Sequence, residues 1–140
     1  MRGLRTCLLI GELDDMEPWA TDIGNAYLEA LMNEKVCIRA GPEFGDLEGH
    51  LLIIYKALYG LRLSGKAFGQ MLQEFLLELG FVPSLAKASI YMRKCLTADH
   101  YEYVATYVDH LAIIMKDPQA FINQLEAATY NFKLKGSGPP

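Results

Sequence analysis

Basic charge is in short supply in this sequence. Thirteen lysines and arginines face 17 aspartates and glutamates, for a formal net charge of -4. Non-specific nucleic-acid affinity rests on cations meeting phosphates, so a strong general grip on RNA or DNA is excluded, although a local basic surface is not. Cysteine is scarce as well. Cys7, Cys37 and Cys95 are odd in number and lack paired metal-ligand spacing, which leaves no disulfide framework and reads as reduced, structural thiols. No apolar run approaches the roughly 20 residues that cross a bilayer. The run from Cys7 to Ile10 soon meets Asp14, Asp15 and Glu17, so neither a secretory leader nor a membrane partner is expected. The default setting is intracellular, with nothing to choose between cytoplasm and nucleus.

What the chain does have is apolar content. Hydrophobic residues make up 51% of 140 positions, enough for one core and too few residues for two ordinary domains. The most organised stretch runs from Tyr103 to Met115: two arms rich in β-branched and aromatic residues around the polar tip Asp109-His110. It predicts a strand hairpin. Aspartate is ordinary at such a tip because it tolerates left-handed backbone, so a turn role competes with a metal or phosphate role.

Helical spacing of Leu4, Cys7, Leu8 and Ile10 predicts a helix over residues 2–13, followed by a strand over 16–23 with Pro18 near its start or on an unpaired side. Ala26 to Met32 suggests a short helix, and residues 38–50, with Gly41, Pro42, Gly45 and Gly49, the longest loop. Leu51 to Tyr55 reads as a buried strand or short ladder. A helix capped by Ser64 or Gly65 should run to Leu79 and stop at Gly80, burying Ala67, Phe68, Met71, Leu72, Phe75, Leu76 and Leu79. Ala88 to Met92 is a strand candidate. Asp117-Pro118 starts a helix facing Phe121, Ile122, Leu125 and Ala128 inward, and residues 131–135 alternate as a last strand. Gly136 to Pro140 then breaks regular structure as a flexible tail. This order predicts an α+β fold, an antiparallel or mixed sheet with helices on one face.

Three separated stretches resemble copia-type (Ty1/copia-like) retrotransposon reverse transcriptases. Thr21-Asp22-Ile23-Gly24-Asn25-Ala26-Tyr27-Leu28 resembles their first catalytic motif. Leu58-Tyr59-Gly60-Leu61-Arg62-Leu63-Ser64-Gly65-Lys66 resembles their Leu-Tyr-Gly-Leu-Lys-Gln segment, and Tyr107-Val108-Asp109-His110 their Tyr-Val-Asp-Asp box. Leu4-Arg5-Thr6, Gly80-Phe81 and Phe132-Lys133-Leu134-Lys135-Gly136 match flanking phrases. The resemblance implies a ferredoxin-like polymerase palm, an antiparallel sheet backed by helices, with incomplete fingers and no thumb. Residues 1–140 would then be a partial reverse-transcriptase domain, palm plus residual fingers segment, from a polyprotein.

In that family the reaction is nucleotidyl transfer. A primer 3′-hydroxyl attacks a deoxynucleotide α-phosphate between two divalent ions about 3.5–4 Å apart. The implied partners are an RNA or DNA template, a DNA primer and deoxynucleotides, and the implied cofactor is Mg2+, with Mn2+ as substitute. By resemblance Asp22 and Asp109 are catalytic metal ligands and Ile23 offers its backbone carbonyl. Tyr27 is the sugar-facing aromatic, or else the cover of a helix start. Arg62 and Lys66 approach phosphates, or else are ordinary surface cations. Three positions depart from the pattern: Leu63 for glutamine, Gly65 for proline, and His110 for the second adjacent aspartate. Imidazole is a poor magnesium ligand, and its protonated form repels the ion. Glu102 and Asp117 match no motif, and His100 with His110 makes no zinc pair.

Two functions follow as expectations. The first is an RNA-directed DNA polymerase palm fragment that is degenerate and inactive alone, with weak or absent nucleic-acid binding. The alternative is a noncatalytic structural or protein-interaction domain that keeps the palm core. Apolar surface left uncovered would promote self-association.

Overall fold

The structure is a computed structural model that describes residues 2–26, 30–57 and 63–139. Helix α1 (Arg2–Leu13) leads into β1 (Glu17–Ile23). Strands β2 (Leu31–Arg39) and β3 (Leu51–Lys56) flank a 3-10 segment (Pro42–Leu47), and α2 (Ser64–Glu78) follows. Then come β4 (Val82–Pro83), β5 (Ile90–Lys94), β6 (Tyr101–Tyr107), β7 (His110–Met115), α3 (Pro118–Ala127) and β8 (Leu134–Gly138). The fold is α+β, and every paired strand runs antiparallel to its neighbour. The main sheet has the order β4-β5-β6-β7-β1-β8, while β2 and β3 form a separate two-stranded sheet among the described residues.

The alternation of β7 decides how the sheet is covered. Leu111, Ile113 and Met115 point to one face, where Phe68, Leu72, Phe75 and Leu76 of α2 and Phe121, Ile122 and Leu125 of α3 complete the main core. Ala112 and Ile114 point to the other, where they meet Cys7 and Leu4 of α1 together with Met16, Ile90 and Ala105. Helices therefore cover both faces, which corrects the expectation of helices on one face. The helical spacing of residues 2–13 predicted α1, but only the sheet register decides which face it takes. Contact is close enough that a β-carbon on Gly11 would collide with the Ile114 side chain.

Several local expectations change. Leu31 and Met32 belong to β2, because pairing Leu31 with Lys56 satisfies backbone that a helix of two turns leaves largely unpaired. The expected loop is shorter at its start, since Ile38 and Arg39 pair with Leu52 and Leu51. β3 is a ladder but not buried: Leu51 is 67% and Tyr55 74% exposed, as befits a two-stranded ribbon outside the main sheet. The cap of α2 is Leu63, with no side-chain hydrogen bond, and Ser64 is buried inside the first turn. Gly80 does end α2, at φ 83°. The strand candidate over 88–92 is displaced to Ile90–Lys94. Gly136, Ser137 and Gly138 are not a tail. They lie in β8, where Gly138 pairs with Ala20 and Lys135 with Asp22, so the edge of β1 draws glycine-rich backbone into the sheet.

Candidate functional site

Asp22 stands near the C-terminal end of β1, and the β1–β7 register places it directly opposite His110. Residues paired across antiparallel strands share a face, so both side chains rise from the face on which α1 packs. The β6–β7 turn holds only Val108 and Asp109. Val108 adopts φ 56°, a left-handed conformation that a β-branched side chain rarely accepts. The Ile23 N–H donates to the Asp109 carbonyl at 2.8 Å, which ties the tip to β1 and sets Asp109 beside Asp22.

The imidazole of His110 lies between the two acids. Its Nδ1 is 2.5 Å from Asp22 Oδ1, and its Nε2 is 3.5 Å from Asp109 Oδ1. Tyr107, its cross-strand partner, stacks on the ring with centroids 6.5 Å apart and planes 12° from parallel. The Asp22 hydrogen bond raises the His110 pKa above its ordinary value; desolvation opposes this in part, and the charges of Asp22 and Asp109 add to it. A proton on the ring lets Nδ1 donate to Asp22 and places a positive charge 3.5 Å from Asp109, an ion-pair contact.

Below this group lies a cavity of about 620 Å³. Ala20, Ala105 and Ala112 form its floor, Leu4 and Ile90 bound it, and Lys87, Thr106 and Ser89 add polar groups beside Asp22 and His110. Small side chains on three adjacent strands leave this hollow beside the first turn of α1. Lys135 of β8 stands opposite Asp22 on the other side of β1, and its aliphatic stem lies over Gly24.

The other anticipated residues are scattered. Ile23 has a fully buried side chain and pairs with Leu134. Lys66 and Gly65 are exposed on the first turn of α2. Lys66 and Leu63 border a small cavity beside Met32 and Glu34, which shares no lining residue with the one under Asp22. Tyr27 and Arg62 lie outside the described residues. Sequence reasoning missed Tyr107 and Lys135 as neighbours of His110 and Asp22. The first is signalled by its place across a two-residue turn from His110; the second depends on strand register.

A profile of the family described as "Reverse transcriptase (RNA-dependent DNA polymerase)" matches residues 5–139. The "Retrovirus-related Pol polyprotein from transposon RE1" of Arabidopsis thaliana is 29% identical over 116 residues, 81% of this chain and 8% of that protein. The corresponding RE2 polyprotein of the same plant is 28% identical over the same shares. A putative transposon Ty5-1 protein of Saccharomyces cerevisiae is 24% identical over 84% of this chain and 38% of its own length. The chain thus spans less than a tenth of the plant relatives and well under half of the yeast one. No solved structure gives a significant match. With the profile spanning all but a few residues and transposon Pol polyproteins as relatives, the chain belongs to the reverse transcriptase (RNA-dependent DNA polymerase) family, as a copia-type Pol polyprotein fragment.

Proposed function

We propose that this chain is the palm part of a copia-type reverse transcriptase whose metal site has been closed by its own side chain, so that it does not polymerise by itself. With β2 to β5 set aside, the succession β1, α2, β6, β7, α3, β8 and the spatial order β8-β1-β7-β6 match a β-α-β-β-α-β pattern, to which β5 and β4 are added beyond β6, and this supports the palm reading. The separate β2–β3 ribbon suits a residual fingers segment.

Reverse transcriptases in general use divalent metal ions, and magnesium calls for hard oxygen donors in near-octahedral array. One observation carries the closed-site reading: the His110 ring contacts both acids, through a hydrogen bond from Nδ1 to Asp22 and an ion-pair distance of 3.5 Å from Nε2 to Asp109. A protonated imidazole there offsets one of the two negative charges and fills the place a cation would take. As folded, these residues do not fit a divalent ion shared by the two carboxylates. What they keep is a half-neutralised surface above an alanine-floored hollow.

Primer extension on an RNA template tests this. The chain, its His110→Asp form, and both joined to flanking segments of a copia-type relative are compared with Mg2+ and with Mn2+. The unaltered chain should give no extended product in either setting, and His110→Asp should restore extension in the joined form. Extension by the unaltered chain would contradict the proposal. The second reading, a noncatalytic interaction domain on the same core, draws on the exposed apolar residues Leu31, Leu51, Ile53 and Tyr55 of β2–β3. It gains if His110→Asp restores nothing in the joined form and a protein partner binds that ribbon.

A further inference from the structure

The turn joining β5 to β6 lies at the opposite end of β6 from His110, about 20 Å away for a strand of this length. Among the described residues it carries the one set of three metal-type side chains whose donor atoms all lie within 4.8 Å of one another: Cys95, His100 and Glu102. The backbone fixes them. The Cys95 N–H donates to the His100 carbonyl at 2.9 Å, and Glu102 pairs with Arg93 in the ladder.

Two further observations point to a ligand there. His100 Nε2 is buried and has no hydrogen-bond partner among the described residues, a state that native folds rarely leave uncompensated. Arg93 engages Glu102 through Oε2 alone, from Nε at 2.9 Å and Nη2 at 2.6 Å. Arg93 is itself held by the Leu79 carbonyl at 2.8 Å and by the Phe81 ring. The fork therefore orients the carboxylate as a partner behind a metal ligand does. The Thr97 hydroxyl, 3.4 Å from Cys95 Sγ, steadies the sulfur.

We infer that Cys95, His100 and Glu102 form a zinc-binding site at the tip of the β5–β6 hairpin, independent of the polymerase reading. Thiolate, imidazole and carboxylate together suit a borderline-soft ion and disfavour magnesium. Tetrahedral zinc with bonds near 2.0–2.3 Å asks its donors to stand roughly 3.3–3.7 Å apart, a modest contraction of the present cluster. Binding converts the Cys95 thiol to thiolate and releases its proton to solvent. Three protein ligands leave the fourth position to water or to a donor from a partner.

Cobalt titration of the whole chain, followed by absorption, tests the site. Co2+ should give a thiolate-to-metal charge-transfer band and tetrahedral d–d bands that saturate at one equivalent and vanish on adding zinc. Cys95→Ser should abolish the charge-transfer band, and His100→Gln should weaken binding at least about tenfold. Cys37→Ser should leave both unchanged, with circular dichroism reporting that each variant is folded. A missing band, one that survives Cys95→Ser or is lost in Cys37→Ser, or unchanged affinity in His100→Gln, overturns the site.

Discussion

At the scale of single residues, His110 sets an imidazole in contact with both Asp22 and Asp109. His110 takes its proton more readily in the fold than in the unfolded chain, through the Asp22 hydrogen bond first. The sign follows. Stabilisation from this contact is complete below the ordinary value of 6.5 and is lost as pH rises through the raised folded pKa. Ring resonances followed by NMR without divalent ions should give a His110 midpoint above 6.5, falling towards it in Asp22→Asn. Equal midpoints in the two proteins would show that the contact is absent in solution. The three residues were legible as motif positions, but their arrangement was not. That His110 turns in between the acids depends on the Asp22↔His110 register and on the stacking of Tyr107, neither of which is written in a four-residue box.

At the scale of elements, the sheet is read most easily where alternation is strong and least where an edge decides. The β6–β7 hairpin and the stripe of α2 follow from their periodicity, since β-branched arms and i, i+4 spacing each have one good burial. Asp117 caps α3 as its place before Pro118 predicts, accepting from the Ala120 N–H at 3.0 Å. The last strand, expected over residues 131–135, lies instead at Leu134–Gly138, because Gly136 and Gly138 have low strand preference and it is the edge of β1 that recruits them. α1 meets β7 through Gly11, so Gly11→Ala forces Ile114 from its place. Chemical denaturation should report a loss of about 1–3 kcal/mol, an overpacking cost. An unchanged midpoint would mean that α1 does not seat on β7 as described.

At the scale of the whole molecule, one well-covered sheet carries a ribbon with little cover of its own. Leu51, Ile53 and Tyr55 face solvent from β3, which makes concentration-dependent association the expected behaviour. Sedimentation velocity should show it, and Leu51→Lys with Tyr55→Lys should reduce it; association unaffected by the pair would place the contact elsewhere. At the β1–β7 end of the main sheet, the proposed closure of the site rests on the His110 ring lying against both acids. Its most direct test is paramagnetic broadening by Mn2+ of the amide signals of residues 22–24 and 108–110, in the unaltered chain and in His110→Asp. Closure by the imidazole predicts that these signals survive in the unaltered chain at Mn2+ levels that erase them in His110→Asp. Erasure of the same signals at the same Mn2+ level in both proteins would contradict it.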